Sequence, residues 1–351
     1  MKSSISISRK IKPYNKVIQI DGDKSLSIRW ALLASQAMGK SKAYNLLRSE
    51  DVLDTLNCLK ALGIKIKNKK KYCEIHGKGI NNFNYKNNLV LNAGNSGTLG
   101  RLILGLLVHS PKKIKLIGDR SLSKRDFSRV TEPLKKIGGK FYFNKKNKLP
   151  LSILGTKFAK PINYNENKGS AQCKSCVMLA AMNTEGETII KAKRSRNHTE
   201  LLFKYLKIPI KVRKKTKFDL IKIKGKKEFK SFNYKVPADI SSSAFFIALT
   251  ALSKNSRLII KSVNINPTRG GVIEILSKMG VKISLKNKIN YKGEKIADIQ
   301  VESAKNLKAI NCPAKLNSSA IDEFLIIFLV AARSKGISYF KNLSELNQKE
   351  S

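Results

Sequence analysis

Gly169-Ser170-Ala171-Gln172 opens almost directly into the apolar run CVMLAAM at 176–182, and this succession of Ser-bearing polar turn and helix-length apolar run occurs five times. The other four turns are Lys24-Ser25-Leu26-Ser27, Asn95-Ser96-Gly97-Thr98, Asp239-Ile240-Ser241-Ser242-Ser243 and Ser318-Ser319-Ala320-Ile321-Asp322. Their runs are ALLASQAMG, LILGLLV, AFFIALTAL and FLIIFLVAA. From Ser25 through Ser96, Ser170 and Ser241 to Ser319 the spacings are 71, 74, 71 and 78 residues. Ser, Thr and Asp cap helix N-termini, where free N–H groups and the helix dipole make a ready anion site. If several such ends converge, they form a pocket for a phosphorylated, carboxylated ligand.

A second segment recurs between these helices: a helix with Leu or Ile at i and i+3 or i+4, a Gly, then a strand. It is carried by 54–66, 132–141, 201–208 and 272–283, with Lys207 standing where Gly63, Gly138 and Gly280 stand in the other copies. Gly after the last apolar position is the normal helix stop. The pattern predicts an α/β chain of repeated units, each running strand, capped buried helix, strand, amphipathic helix, strands. Four units are complete and a fifth begins near Lys308. Repeats this long lie outside the usual solenoid classes.

The chain has 351 residues, about two domains on the length prior, and 42% hydrophobic content supports substantial cores. Seventy Lys+Arg against 24 Asp+Glu give a formal charge of +46, which makes a polyanion an obvious partner class. The distribution argues against specific nucleic-acid binding. Lysines alternate with Ile, as in Ile64-Lys65-Ile66-Lys67 and Ile221-Lys222-Ile223-Lys224, the pattern of half-buried strands with solvated outer faces. Five Cys without a signal-like segment indicate a cytoplasmic setting. The apolar run 324–332 is about half a membrane span, so no membrane partner is expected. Cys173-Lys174-Ser175-Cys176 has CxxC spacing, but it opens an apolar helix, where Cys acts as a small hydrophobe, and no second cluster completes a metal site.

At the cap residues the chain resembles the 5-enolpyruvylshikimate-3-phosphate synthase family. The likeness is carried in order by Asp21-Gly22-Asp23-Lys24-Ser25-Leu26-Ser27-Ile28-Arg29, Asn95-Ser96-Gly97-Thr98 and Gly118-Asp119-Arg120-Ser121-Leu122-Ser123-Lys124-Arg125. It continues through Ser170-Ala171-Gln172-Cys173-Lys174-Ser175, Ser195-Arg196-Asn197-His198-Thr199-Glu200 and Val236-Pro237-Ala238-Asp239-Ile240-Ser241-Ser242, then Asn266-Pro267-Thr268-Arg269, Ile321-Asp322-Glu323 and Lys349-Glu350-Ser351. The resemblance implies a two-lobed α/β (α+β) enolpyruvyl-transferase fold of βαβαββ units, with helix N-termini facing the cleft. Residues 22–236 would form one lobe of three units; 1–21 and 237–351 would form the other, incomplete in its second unit.

It also implies the reaction: transfer of the enolpyruvyl group of phosphoenolpyruvate to the 5-hydroxyl of shikimate 3-phosphate by addition and elimination, without metal or cofactor. Asp322, Lys24 and Glu350 are the implied acid/base residues. Lys24, Ser25, Arg29, Ser170, Gln172, Ser195, Asp322 and Lys349 match shikimate 3-phosphate contacts, with Arg196 and His198 lining the same site. Lys24, Gly97, Arg125 and Gln172 match the phosphoenolpyruvate site. A guanidinium one turn beyond Ser25 suits bidentate grip of a carboxylate.

The sequence departs from the family at Asp126, Ala238, Ile28 and Asn347. It also stops at Ser351, where the family continues by about one further unit. The expectation from that ending is weak or no activity of this polypeptide alone, as a monomer or in complex with a separately encoded tail. Two alternatives compete. The enolpyruvyl transferase acting on a UDP-sugar is disfavoured by Ser25 after Lys24 and the absence of Cys from 110–125. A non-catalytic homologue or polyanion-binding protein is the alternative of a different class.

Overall fold

The computed structural model describes residues 6, 8, 10–344 and 346. Strand β1 (Asn15–Ile18) leads into helix α1 (Lys24–Gln36), followed by β2 (Met38–Tyr44), α2 (Glu50–Ala61), β3 (Lys65–Asn68) and β4 (Tyr72–Lys78). Next come β5 (Leu89–Asn92), α3 (Gly97–Leu107), β6 (Ile114–Ile117), α4 (Ser128–Ile137), β7 (Lys140–Lys145) and β8 (Lys148–Leu154). The same order repeats in β9 (Asn163–Glu166), α5 (Ala171–Asn183), β10 (Glu187–Ala192), α6 (His198–Tyr205), β11 (Ile210–Lys214) and β12 (Asp219–Lys224). After β13 (Asn233–Lys235) come α7 (Ile240–Leu252), β14 (Arg257–Asn264), α8 (Gly271–Lys278), β15 (Lys282–Tyr291) and β16 (Glu294–Glu302). The described chain then forms α9 (Asn317–Ala320) and α10 (Phe324–Ala331).

These strands form four-stranded sheets of one design. Orders β5-β6-β8-β7 and β9-β10-β12-β11 belong to units whose strands are contiguous in sequence. In each, the first two neighbours are parallel and the rest antiparallel. The other two sheets exchange their first strand. β13 lies parallel to β2 in the order β13-β2-β4-β3, while β1 lies parallel to β14 in β1-β14-β16-β15. The chain therefore crosses between lobes twice, at about residues 19–23 and 236–239. The crossings are tied by Asp23 N donating to Pro237 O at 2.8 Å and Asp239 N donating to Asp21 O at 3.1 Å. A Cβ at Gly22 would lie 2.1 Å from Asn45 O, so this crossing admits only glycine.

Buried apolar side chains divide at the second crossing. One cluster lies between residues 26 and 236, the other between 238 and 330. Helices α1 and α5 are buried along almost their whole length, α3 likewise, which accounts for apolar runs on every face. Helices α2, α4 and α6 bury one side, as their Leu and Ile spacing predicts. Ile221 and Ile223 are buried and Lys222 and Lys224 are not, as alternation predicts.

The caps match three of the five turns directly. Ser96 Oγ accepts from Leu99 N, Ser170 Oγ from Cys173 N, and Asp239 from Ser241 and Ser242 N. In the first turn the cap is Asp23, one residue before the motif, so Ser25 is already helical. The fifth expectation fails. Ser319 Oγ donates back to Leu316 O at 2.9 Å inside the short α9, and α10 starts at Phe324 with no side-chain cap bond.

Candidate active site

The first turn of α1 sits at the crossing of the lobes. Asp23 Oδ1 caps it through Leu26 N at 2.8 Å, and Lys24 N donates to Asp239 Oδ2 of the other lobe at 3.0 Å. The Lys24 ammonium is partly exposed, 3.6 Å from Asp51 Oδ1. One turn on, Arg29 is buried and fully oriented. Its Nε donates to Thr199 Oγ1 at 2.9 Å, Nη2 to Ser175 Oγ at 3.1 Å and Nη1 to Ser25 O at 3.1 Å. Burial pushes Arg29 down to about 10, so it remains cationic at neutral pH.

The starts of α3 and α5 are tied together. Gln172 Nε2 donates to Thr98 Oγ1, beside Gly97, at 3.0 Å, and Arg101 Nη1 donates to Gln172 Oε1 at 2.6 Å. Arg125 reaches Asn95 Oδ1, just ahead of the Ser96 cap, at 3.2 Å. Its unusual neighbour Asp126 accepts from Ser128 N at 2.6 Å, so that carboxylate serves the start of α4. Ser170 holds the N-terminus of α5. Ser195 Oγ is enclosed without a hydrogen-bond partner among the described residues.

From the second lobe, Asp322 Oδ2 accepts from Arg196 Nη2 of the first lobe at 2.7 Å and from Arg269 Nη1 at 3.2 Å. Its neighbour Glu323 is buried and accepts from Ser241 Oγ; burial raises its carboxyl above the usual range. Burial opposes ionisation of Asp23 too, but Arg269 and His198 outweigh it and hold Asp23 below its ordinary value. Lys24 and Asp322 thus have contacts that cross the lobe junction, while Ser25, Arg29 and Gln172 make theirs within the first lobe. Lys349 and Glu350 lie outside the described residues.

His198 differs from expectation. Its side chain has no exposure and its Nδ1 meets Glu294 Oε1 at 2.7 Å, so it is a buried link between lobes and not a lining group. Asp23, Arg269, Thr199 and Ser175 carry contacts that motif reasoning gave no role, although each stands in or beside a quoted segment. Cys173 and Cys176 are buried free thiols, raised by that burial. Among the described residues no cluster of three or more His, Cys, Asp or Glu could hold a metal, and no helix is long and apolar enough to cross a membrane.

The family profile described as EPSP synthase (3-phosphoshikimate 1-carboxyvinyltransferase) matches residues 8–351. The chain is 39% identical over 340 residues to the 3-phosphoshikimate 1-carboxyvinyltransferase of Petrotoga mobilis, covering 96% of this chain and 77% of that protein. It is 41% identical over 346 residues to the enzyme of the same name from Vesicomyosocius okutanii, covering 97% and 78%. A solved structure of EPSP synthase from Acinetobacter baumannii superposes with a TM-score of 0.85 at 34% identity, over 97% of this chain and 76% of that one.

Proposed function

The chain belongs to the EPSP synthase family, and we infer that it transfers the enolpyruvyl group of phosphoenolpyruvate to the 5-hydroxyl of shikimate 3-phosphate. In the addition step a proton joins the methylene carbon of phosphoenolpyruvate while the hydroxyl oxygen bonds to C2 and gives up its proton. In the elimination step the C2–O bond to phosphate breaks, a methyl proton leaves and the double bond re-forms. Proton transfer at carbon needs positioned acids and bases, and the charged intermediate needs fixed cations.

Asp322 removes the hydroxyl proton. Lys24, at the capped start of α1, supplies charge between the two substrates and a proton donor. Arg29 and Ser25 hold the acceptor carboxylate; Ser170, Gln172 and Ser195 hold its phosphate. Gly97, Arg125 and Gln172 hold phosphoenolpyruvate. Lys349 and Glu350 form the second acid/base pair. The lobes are 22–236 and 1–21 with 237–351, and the site is the seam between them. A net charge of +46 favours encounter with anionic substrates in general.

The observation that supports this reading best is the 2.7 Å contact between Arg196 and Asp322, because it joins the base from one lobe to the loop before α6 in the other. Following phosphate release from phosphoenolpyruvate with shikimate 3-phosphate tests it. Asp322→Asn is expected to lower kcat by about 10²–10⁴-fold, while shikimate 3-phosphate binding, followed through buried Trp30 beside Arg29, is retained. Equal turnover by the variant removes Asp322 from the mechanism.

A further inference from the structure

The turn at 266–269 sends one side chain into the seam between the lobes. Asn266 Oδ1 accepts from Thr268 N at 2.9 Å, and Arg269 N donates to Asn266 O at 2.8 Å, so the backbone carrying Arg269 is fixed before α8 begins. The Arg269 side chain is only 4% exposed. Its Nε lies 3.2 Å from Asp23 Oδ2 and its Nη1 lies 3.2 Å from Asp322 Oδ2. Its Nη2 donates to Ser241 Oγ at 2.8 Å and approaches Asp239 Oδ1 at 3.4 Å. Three carboxylates from three segments meet one planar cation. Burial works against that charge, but Asp23 and Asp239 outweigh it and hold Arg269 well above the ordinary arginine value.

We propose that Arg269 is a positioning residue for the reaction: it holds Asp322 in fixed register with the first turn of α1, through the Asp23 carboxylate that caps that helix. The inference rests on the reading of Asp322 as the base. Asp23 divides its two oxygens between tasks. Oδ1 caps α1 through Leu26 N, and Oδ2 is ion-paired with Arg269 Nε without a hydrogen bond among the described residues. The position of α1, which carries Lys24, Ser25 and Arg29, is thereby transmitted through one carboxylate and one guanidinium to Asp322. Ser241 completes the arrangement: its Oγ accepts from Arg269 and donates to Glu323, the residue beside Asp322. A lysine ammonium is a point charge without the planar fork, so it cannot serve Asp23, Ser241 and Asp322 together.

The charges around Asp322 set the expected sign. Arg196, from the loop before α6, and Arg269, from the turn before α8, favour its ionised form. Glu323, at the start of α10, opposes it, as do Asp239 at α7 and Asp23 at α1 once Arg269 no longer neutralises them. An opposite charge nearby lowers a carboxyl pKa and a like charge raises it. Losing Arg269 therefore raises the titration midpoint of Asp322.

Carboxyl ¹³C NMR of protein labelled at Asp reads that midpoint without turnover, the Asp322 signal being assigned by its loss in D322N. Arg269→Gln is expected to move the midpoint up by about one pH unit or more, and Arg269→Lys by less. In the phosphate-release assay the acid limb of the kcat profile moves to higher pH by the same amount, and kcat falls by a larger factor than KM rises. Should Arg269→Gln fail to fold, Arg269→Lys, which keeps the buried charge, carries the test. An unmoved midpoint or an unmoved acid limb in folded Arg269→Gln overturns the proposal, and in Arg269→Lys, which keeps the charge and loses the fork, an unchanged kcat overturns it. A shifted midpoint in protein without turnover tells against the enolpyruvyl reading and leaves the positioning role standing.

Discussion

His198 Nδ1 lies 2.7 Å from Glu294 Oε1, joining the start of α6 in one lobe to the start of β16 in the other with neither side chain exposed. Glu294 Oε2 also accepts from Asn266 Nδ2 at 2.9 Å and Asn264 Nδ2 at 3.3 Å. Burial alone would raise this carboxyl, but His198 and the two amides outweigh it and hold Glu294 below its usual value. His198→Ala removes one of three side-chain donors to a buried carboxylate, a loss of about 1–3 kcal/mol. Urea unfolding at neutral pH checks this, and a loss below about 1 kcal/mol would remove the pair as an anchor of the interface. The pH dependence has a definite sign. A depressed carboxyl stabilises fully above its unfolded value of about 4.3 and loses that contribution as pH falls through the lower folded value. The stability difference between wild type and Glu294→Gln should therefore shrink in that acid window.

Lys207 occupies a backbone conformation of φ 57, in the helix-stop position where Gly63, Gly138 and Gly280 have φ 84, 124 and 92. A side chain in the left-handed region costs about 1–2 kcal/mol, whereas glycine adopts it freely but gives up more freedom on folding, by about 0.5–1 kcal/mol. Lys207→Gly is thus expected to stabilise the chain by up to about 1 kcal/mol, seen as a higher melting temperature. Gly63→Ala is the opposite control, since its Cβ would lie 2.3 Å from Asn84 O. If Lys207→Gly lowers the melting point, strain at 207 is not what distinguishes that unit.

Gly105 lets α3 and α5 approach closely: a Cβ there would sit 2.2 Å from Cys176 O, a backbone atom that cannot rotate away. Gly105→Ala must separate the helices and should cost about 1–3 kcal/mol, as overpacking does. The consequence extends to ligand binding, because the same two helices are tied at their N-termini by Gln172 and Thr98. Melting and binding of shikimate 3-phosphate should both weaken in this variant. Stability lost with binding unchanged would separate the packing of these helices from the proposed site.

The repeated unit was legible because caps, apolar runs and helix stops are local signals, and Ser96, Ser170 and Asp239 act where the spacing puts them. Ser319 failed because a hydroxyl can bond backward as well as forward, and tertiary packing decides where the helix starts. The exchange of β1 and β13 between sheets leaves no mark in periodicity; resemblance alone supplied the half involving β1. Of the proposed site, Lys24, Ser25, Arg29, Gln172 and Asp322 are named by motif. Arg269 was quoted without a role, because Asp239 and Asp322 stand 30 and 53 residues from it and only folding brings them together. His198 was misread for the converse reason: its partner Glu294 lies 96 residues on.

Arg29 offers the sharpest test of how the proposed acceptor site binds. Its guanidinium is already held by Thr199 and Ser175 before any ligand arrives, so binding need not order it. A lysine at this position keeps charge but loses the planar, pre-oriented fork that grips a carboxylate through two bonds. Arg29→Lys should weaken shikimate 3-phosphate binding by about 10–100-fold, equivalent to about 1.4–2.8 kcal/mol. Stability should change far less, because Ser175 and Thr199 hydrogen-bond to one another at 2.7 Å and remain satisfied. Calorimetric titration at neutral pH measures the affinity. Full affinity in folded Arg29→Lys would show that the acceptor carboxylate is not held by this guanidinium.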